Sequence, residues 1–88
     1  MKLKYDFIIN ELGDEFVAVP VGDFVVDFNG ILKLNQTAAT IVEMLKEDIS
    51  YEDLCYKLSN KYQVSIEEAE RNVDKMLDGL KGANLIVE

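Results

Sequence analysis

Side chains able to do covalent or acid–base chemistry are few in this chain: one thiol, Cys55, no histidine, and seventeen carboxylates. Cys55 sits among Tyr51, Leu54, Leu58 and Tyr62 at helical spacing, so it reads as a small buried hydrophobe. With no imidazole to take its proton it has no base, and no serine or threonine has such a partner either. Glu67, Glu68 and Glu70 crowd one stretch, but on a regular helix that spacing is that of a solvated face. There is no glycine-rich phosphate loop. A metal would have to rest on carboxylates and one thiolate, and neither a metal nor a cofactor is expected. The residues therefore predict a protein that is not an enzyme.

What remains is the chemistry of the backbone. The stretch Ile31-Leu32-Lys33-Leu34 lies between the turn dipeptide Asn29-Gly30 and Asn35, a residue suited to cap a following helix. If it forms the edge of a sheet, its N–H and C=O groups are available to an added strand, and neighbouring helix side chains supply pockets for that strand. If the connection Val21 to Asp27 folds over it, no edge is offered. The sequence leaves both open.

The elements that must position this stretch follow from periodicity. Before it apolar residues recur every second position, and after it at three and four. Tyr5, Phe7 and Ile9, a turn at Glu11–Asp14, and Phe16 to Val19 predict a hairpin over roughly residues 4 to 20. Pro20 ends its second strand, where the missing N–H costs no interior ladder bond. Residues 21–30 read as an irregular connection, and Ile31–Leu34 as the third strand. A first helix is predicted from Gln36 to Lys46, with Ala38, Ile41, Val42 and Leu45 as its inward stripe. Ser50 with Asp53, and Ser65 with Glu68, have capping-box spacing and start two more helices. The last carries Ile66, Ala69, Val73, Met76, Leu77 and Leu80, and Gly82 and Asn84 suit its C-terminal cap. Gly79 inside it marks either fraying or close packing. Leu85, Ile86 and Val87 fold back on the core. Residues 1–88 thus make one domain, α+β and winged-helix-like: an N-terminal three-stranded antiparallel sheet followed by a three-helix bundle.

Charge narrows the partners. The formal net charge is −8, a field that repels phosphate backbones and attracts cationic segments. The third helix carries five acids against three bases, so it makes a poor recognition helix, and no nucleic acid is expected. No apolar run is long enough to span a bilayer and no signal-type segment follows Met1, so no membrane is expected and the protein reads as cytoplasmic.

The run Asn29-Gly30-Ile31-Leu32-Lys33-Leu34-Asn35-Gln36-Thr37-Ala38-Ala39-Thr40-Ile41 resembles the N-G-x-x-x-L-N-x-T-A-x-x-I signature of PqqD-like proteins, the RiPP recognition elements that bind precursor peptides. Ser50-x-x-Asp53-Leu54 and Gly82-x-x-Leu85-Ile86 extend the similarity over essentially the whole chain. The resemblance implies a non-catalytic adaptor. It would bind the leader segment of a ribosomally made precursor as a strand added beside the third strand, in a groove shared with the third helix. It would also dock on a peptide-modifying enzyme, for which a radical SAM enzyme is a candidate, and so raise the local concentration of the residues to be modified. On this sequence the implied peptide-binding residues are Ile31, Leu32, Lys33 and Leu34 from the strand and Ala69, Asn72, Val73 and Met76 from the helix. The opposite flank, Glu70 and Asp74, would suit a cationic leader instead. With no cysteine cluster for an iron–sulfur centre, a separate chaperone-like adaptor is expected.

An acidic carrier protein shares the length, charge and helices, but neither Ser50-Tyr51 nor Ser65-Ile66 gives the Asp-Ser-Leu context of a phosphopantetheine site. A helix-turn-helix scaffold with another partner is the remaining alternative. Exposed sheet edges also leave a homodimer open.

Overall fold

The computed structural model describes residues 1–21 and 32–88. Alternation of apolar side chains builds the strand pair β2 (Phe7–Leu12) and β3 (Glu15–Pro20), which is antiparallel with Leu12 opposite Glu15 and Phe7 opposite Pro20. Gly13 and Asp14 form the two-residue turn, and Gly13 takes the positive φ of 64° that matches the twist of the strands. The expected third strand is β4 (Leu32–Leu34), antiparallel to β3, in the sheet order β2-β3-β4. Ile31 and the predicted connection over residues 22–30, with its Asn29-Gly30 turn, lie outside the described residues.

Helix α1 (Gln36–Met44) starts one residue after β4 because Asn35 Oδ1 accepts the Ala38 N–H at 2.8 Å. It ends two residues before the predicted Lys46, with Leu45 as its C-cap. Its buried face is Ala39, Ile41, Val42 and Leu45, whereas Ala38 is only half-buried. Helix α2 (Tyr51–Tyr62) is capped by Ser50, whose Oγ accepts the Asp53 N–H at 3.1 Å, and buries Leu54, Cys55 and Leu58. Ser65 does the same for Glu68 at 3.1 Å and starts α3 (Ile66–Gly82), which buries Ala69, Val73, Leu77 and Leu80. Ile66, expected in this stripe, is exposed.

The sequence predicted that the C-terminal residues fold back, and they do so through a specific closure. Asn84 adopts φ 61°, the Leu85 N–H bonds Leu80 O at 2.9 Å, and the Asn84 N–H bonds Lys81 O at 3.0 Å. These are the two bonds of a Schellman motif, and its two apolar residues, Leu80 and Leu85, are both buried. The chain then enters β5 (Ile86–Val87), antiparallel to β1 (Lys2–Leu3). The first residues are also tied to the end of α1: the Leu3 N–H bonds Leu45 O at 2.8 Å and the Ile49 N–H bonds Met1 O at 2.9 Å. This second, two-stranded sheet was not expected, and the predicted hairpin begins at Phe7, not at residue 4.

The core is one cluster in which Phe7, Ala18 and Leu34 from the sheet meet Ile41, Leu54, Val73, Leu77 and Leu85. Among the described residues no buried side-chain polar atom lacks a partner, and no helix is long and apolar enough to cross a membrane.

Helix α2 stops at Gln63, which takes the left-handed conformation at φ 53° while the Val64 N–H reaches back to Ser59 O at 3.1 Å. A residue with a Cβ is strained there. Gln63→Gly is expected to raise stability by about 0.5–1 kcal/mol, net of the extra flexibility glycine gives the unfolded chain, read as a higher denaturant midpoint with unchanged slope.

Candidate functional site

In an antiparallel ladder, opposed residues alternate between pairs that exchange both backbone hydrogen bonds and pairs that exchange none. The Val21 N–H donates to Asp6 O at 3.1 Å, which makes Asp6–Val21 a bonded pair just beyond the last pair of the β2–β3 ladder. Counting by two, Ile8–Val19, Asn10–Val17 and Leu12–Glu15 are bonded, and Phe7–Pro20 is not, so Pro20 withholds no N–H from β2. The residues of β3 left over, Phe16 and Ala18, turn their groups to β4, opposite Leu34 and Leu32. Lys33 stands opposite Val17, whose groups serve β2. Its N–H and C=O therefore face away from the sheet, and among the described residues no strand pairs with that edge.

Beside this edge lies a cleft of about 360 Å³ between β4 and α1 on one side and α3 on the other. Leu32, Lys33 and Leu34 line it from the strand, and Asn72 and Met76 from α3. Ala69 and Val73, the other two residues expected to form the wall, are fully buried and lie on the core side of α3. Glu70 and Asp74 do not line the cleft either. Thr37, Ala38, Lys75 and Gly79 line it too, although their types and spacing did not single them out as binding residues. A signal for Gly79 existed: Asn72, Met76, Gly79 and Ala83 recur at helical spacing on one face, adjacent to but distinct from the core stripe.

Gly79 opens the cleft. A Cβ built there would meet nothing within 4 Å, and α3 runs on to Gly82, so this glycine marks neither close packing nor fraying. Thr37 and Asn72 also border a smaller cavity of about 300 Å³ with Tyr62, Val64 and Glu68, which continues the groove toward the start of α3. The Asn72 amide N–H is used within the helix, on Glu68 O at 3.0 Å, leaving its Oδ1 as an acceptor.

The titratable groups that depart from their ordinary behaviour lie away from the cleft. The Tyr51 hydroxyl donates to Asp74 at 2.7 Å, and that bond holds its ionisation well above the usual phenol range. Burial pushes the Cys55 thiol up, so it stays protonated near neutrality. Among the described residues no cluster of His, Cys, Asp or Glu has the arrangement of a metal site. Among the described residues the arrangement provides a strand edge without a partner strand, with an apolar trough next to it.

Residues 16–86 match the family model for PqqD, described as coenzyme PQQ synthesis protein D. Among solved structures, "TbiB1 in Complex with the TbiA(beta) Leader Peptide" has the same fold, with a TM-score of 0.72, 20% sequence identity, and coverage of 97% of this chain and 93% of that one. No curated protein matches the chain.

The open position of Gly79 generates a direct test. Gly79→Ala is expected to stabilise α3 by up to about 1 kcal/mol through helix propensity alone, measured by chemical denaturation, because the added methyl meets open space.

Proposed function

Since the chain belongs to the PqqD family, we propose that it is a non-catalytic adaptor that binds the leader segment of a ribosomally synthesised precursor peptide by strand addition and presents it to a modifying enzyme. One observation carries the reading: the outward N–H and C=O of Lys33 lie at an edge that no strand of the described residues pairs, beside the apolar cleft. A peptide strand at that edge gains main-chain hydrogen bonds there, and alternate side chains enter the trough lined by Met76 and Leu80. The solved relative, named for its complex with a leader peptide, supports the same use of the fold.

The groove sets the length of the ligand. From Glu68 in α3 to its C-cap residue Ala83, the lining positions span roughly 22 Å at 1.5 Å per residue, equal to about six or seven residues of extended strand. Strand residues Leu32–Leu34 and helix residues Asn72 and Met76 form the contact surface, with Ala69 and Val73 supporting the helix from below. The adaptor works in the cytoplasm, where precursor peptides are made, and the enzyme it serves is of the radical SAM kind. A second copy pairing through the same edge competes with the peptide, so a homodimer by edge pairing and leader binding exclude each other.

Amide chemical-shift titration of the labelled protein with leader peptides encoded beside its gene, with a DNA duplex as control, tests the proposal. Saturable shifts concentrated on Leu32–Leu34 and on Asn72, Lys75 and Met76 are the expected result; a folded protein unresponsive to every leader overturns it. Lys33→Pro removes the outward N–H while leaving the bonds to β3 in place. It is expected to fold, with unchanged helical circular dichroism, and to weaken leader binding by about tenfold or more. Full affinity in the folded variant rules out pairing through that amide.

A further inference from the structure

Among the described residues the charged ones lining the cleft are Lys33 and Lys75, with no carboxylate, in a chain with seventeen acidic and nine basic residues. Neither lysine has an ion-pair partner among the described residues, whereas Lys46 and Lys81 are paired with Glu43 and Glu88. Each described wall of the cleft thus carries one lysine, Lys33 on β4 and Lys75 on α3, on an anionic protein. From this charge complementarity and the parity of the ladder, and resting on the strand-addition reading above, we propose that the cleft selects a peptide strand of the pattern apolar–acidic–apolar, with its Asp or Glu directly opposite Lys33.

The register follows from β4 itself. Leu32 and Leu34 point to the core side, half-buried and buried, and Lys33 between them points to the opposite face and is exposed. An antiparallel strand added at the edge places one residue directly across from Lys33, sharing both of its outward hydrogen bonds. The side chain of that residue lies on the same face as the Lys33 side chain, at cross-strand contact distance, where an opposite charge is favourable and a like charge is not. Its two neighbours point the other way, over Leu32 and Leu34 and into the trough formed by Met76, Leu80 and Leu85. Those two positions call for apolar side chains. Lys75 lies on the α3 rim next to Met76, where its stem covers the apolar occupant and its ammonium stays in water. Among the described residues Glu68 is the carboxylate lining the adjoining cavity, so the preference for an acid is confined to the position over Lys33.

A display library of random seven-residue segments in a flexible host, selected in parallel on the wild-type protein and on Lys33→Glu, tests this. On the wild type, enriched segments are expected to carry Asp or Glu between two apolar residues. On Lys33→Glu the same central position is expected to switch to Lys or Arg. Synthetic peptides differing only at that position are expected to differ in affinity by about two- to fivefold, the size of a cross-strand charge pair. Enrichment of peptides with no acidic preference on the wild type, or the same acidic peptides on both proteins, overturns the charge pattern and leaves strand addition standing. No enrichment of any peptide on the folded wild type overturns the strand-addition reading, and the pattern with it.

Discussion

Strand β3 has two neighbours, and each of its residues can give its backbone groups to only one of them. That constraint fixes the rest of the sheet. Glu15, Val17 and Val19 serve β2, so Phe16 and Ala18 serve β4, and Lys33 between their partners has nothing to bond within the sheet. The same parity puts Pro20 where β2 asks for no N–H. It also fixes the faces. A slip of one residue would turn Leu32 and Leu34 to the outer surface and bring Lys33 against the core, so the hydrophobic pattern and the hydrogen-bond pattern select a single register.

Three residues of strand are a weak element alone, and β4 depends on its junction with α1. Asn35 ends the strand and caps the helix in one step, with its side chain on the Ala38 N–H and its carbonyl accepting from Ala39 at 2.9 Å. The edge is therefore rigidly joined to a helix whose Ile41, Val42 and Leu45 are buried. The opposite wall is fixed as firmly: α3 is capped by Ser65 at its start and closed by the Schellman bonds at its end, and Leu85 then delivers the chain to β1. The Lys4 N–H bonds Leu85 O at 2.7 Å, tying both ends of the described chain to the foot of α3. A binding trough between two such walls does not have to order itself when occupied, which lowers the entropic cost of binding.

The helices were legible because their signals are local. A serine or asparagine before an apolar stripe with a partner amide three residues on is contained in a few positions, and Asn35, Ser50 and Ser65 all cap as the sequence implied. The β1–β5 pairing was not, since Lys2-Leu3 and Ile86-Val87 are two-residue strands too short to show a period and more than eighty residues apart. Gln63 at the end of α2 was hidden for another reason: nothing in glutamine marks a left-handed conformation, which is imposed by the bonds to Ser59 and by the need to redirect the chain into α3. For the cleft, the strand half was legible through the Leu32-Lys33-Leu34 alternation. The helix half was legible in part: of the four residues expected there, Asn72 and Met76 line the cleft, whereas Ala69 and Val73 belong to the buried stripe that apolar periodicity identifies, and the groove wall lies one position around from it, where Gly79 also stands.

Net charge and local charge give opposite expectations for a partner, and distance decides between them. Ionic screening acts over about 8 Å at physiological salt, while the radius of gyration is 12.7 Å, so most of the carboxylates behind the −8 total are screened from a ligand seated on one face. Lysines in contact with that ligand are not. Two unit charges 4 Å apart near a protein surface interact by about 4 kcal/mol before the costs of desolvation and side-chain ordering, against about 1 kcal/mol in bulk water. On the proposed strand-addition reading the acidic total acts on encounter, slowing the approach of anionic segments and of nucleic acid alike, whereas Lys33 and Lys75 would act on what stays bound. An adaptor that worked this way would discriminate in its dissociation rate: many peptides would meet the edge, and those whose side chains match the alternation of β4 would remain.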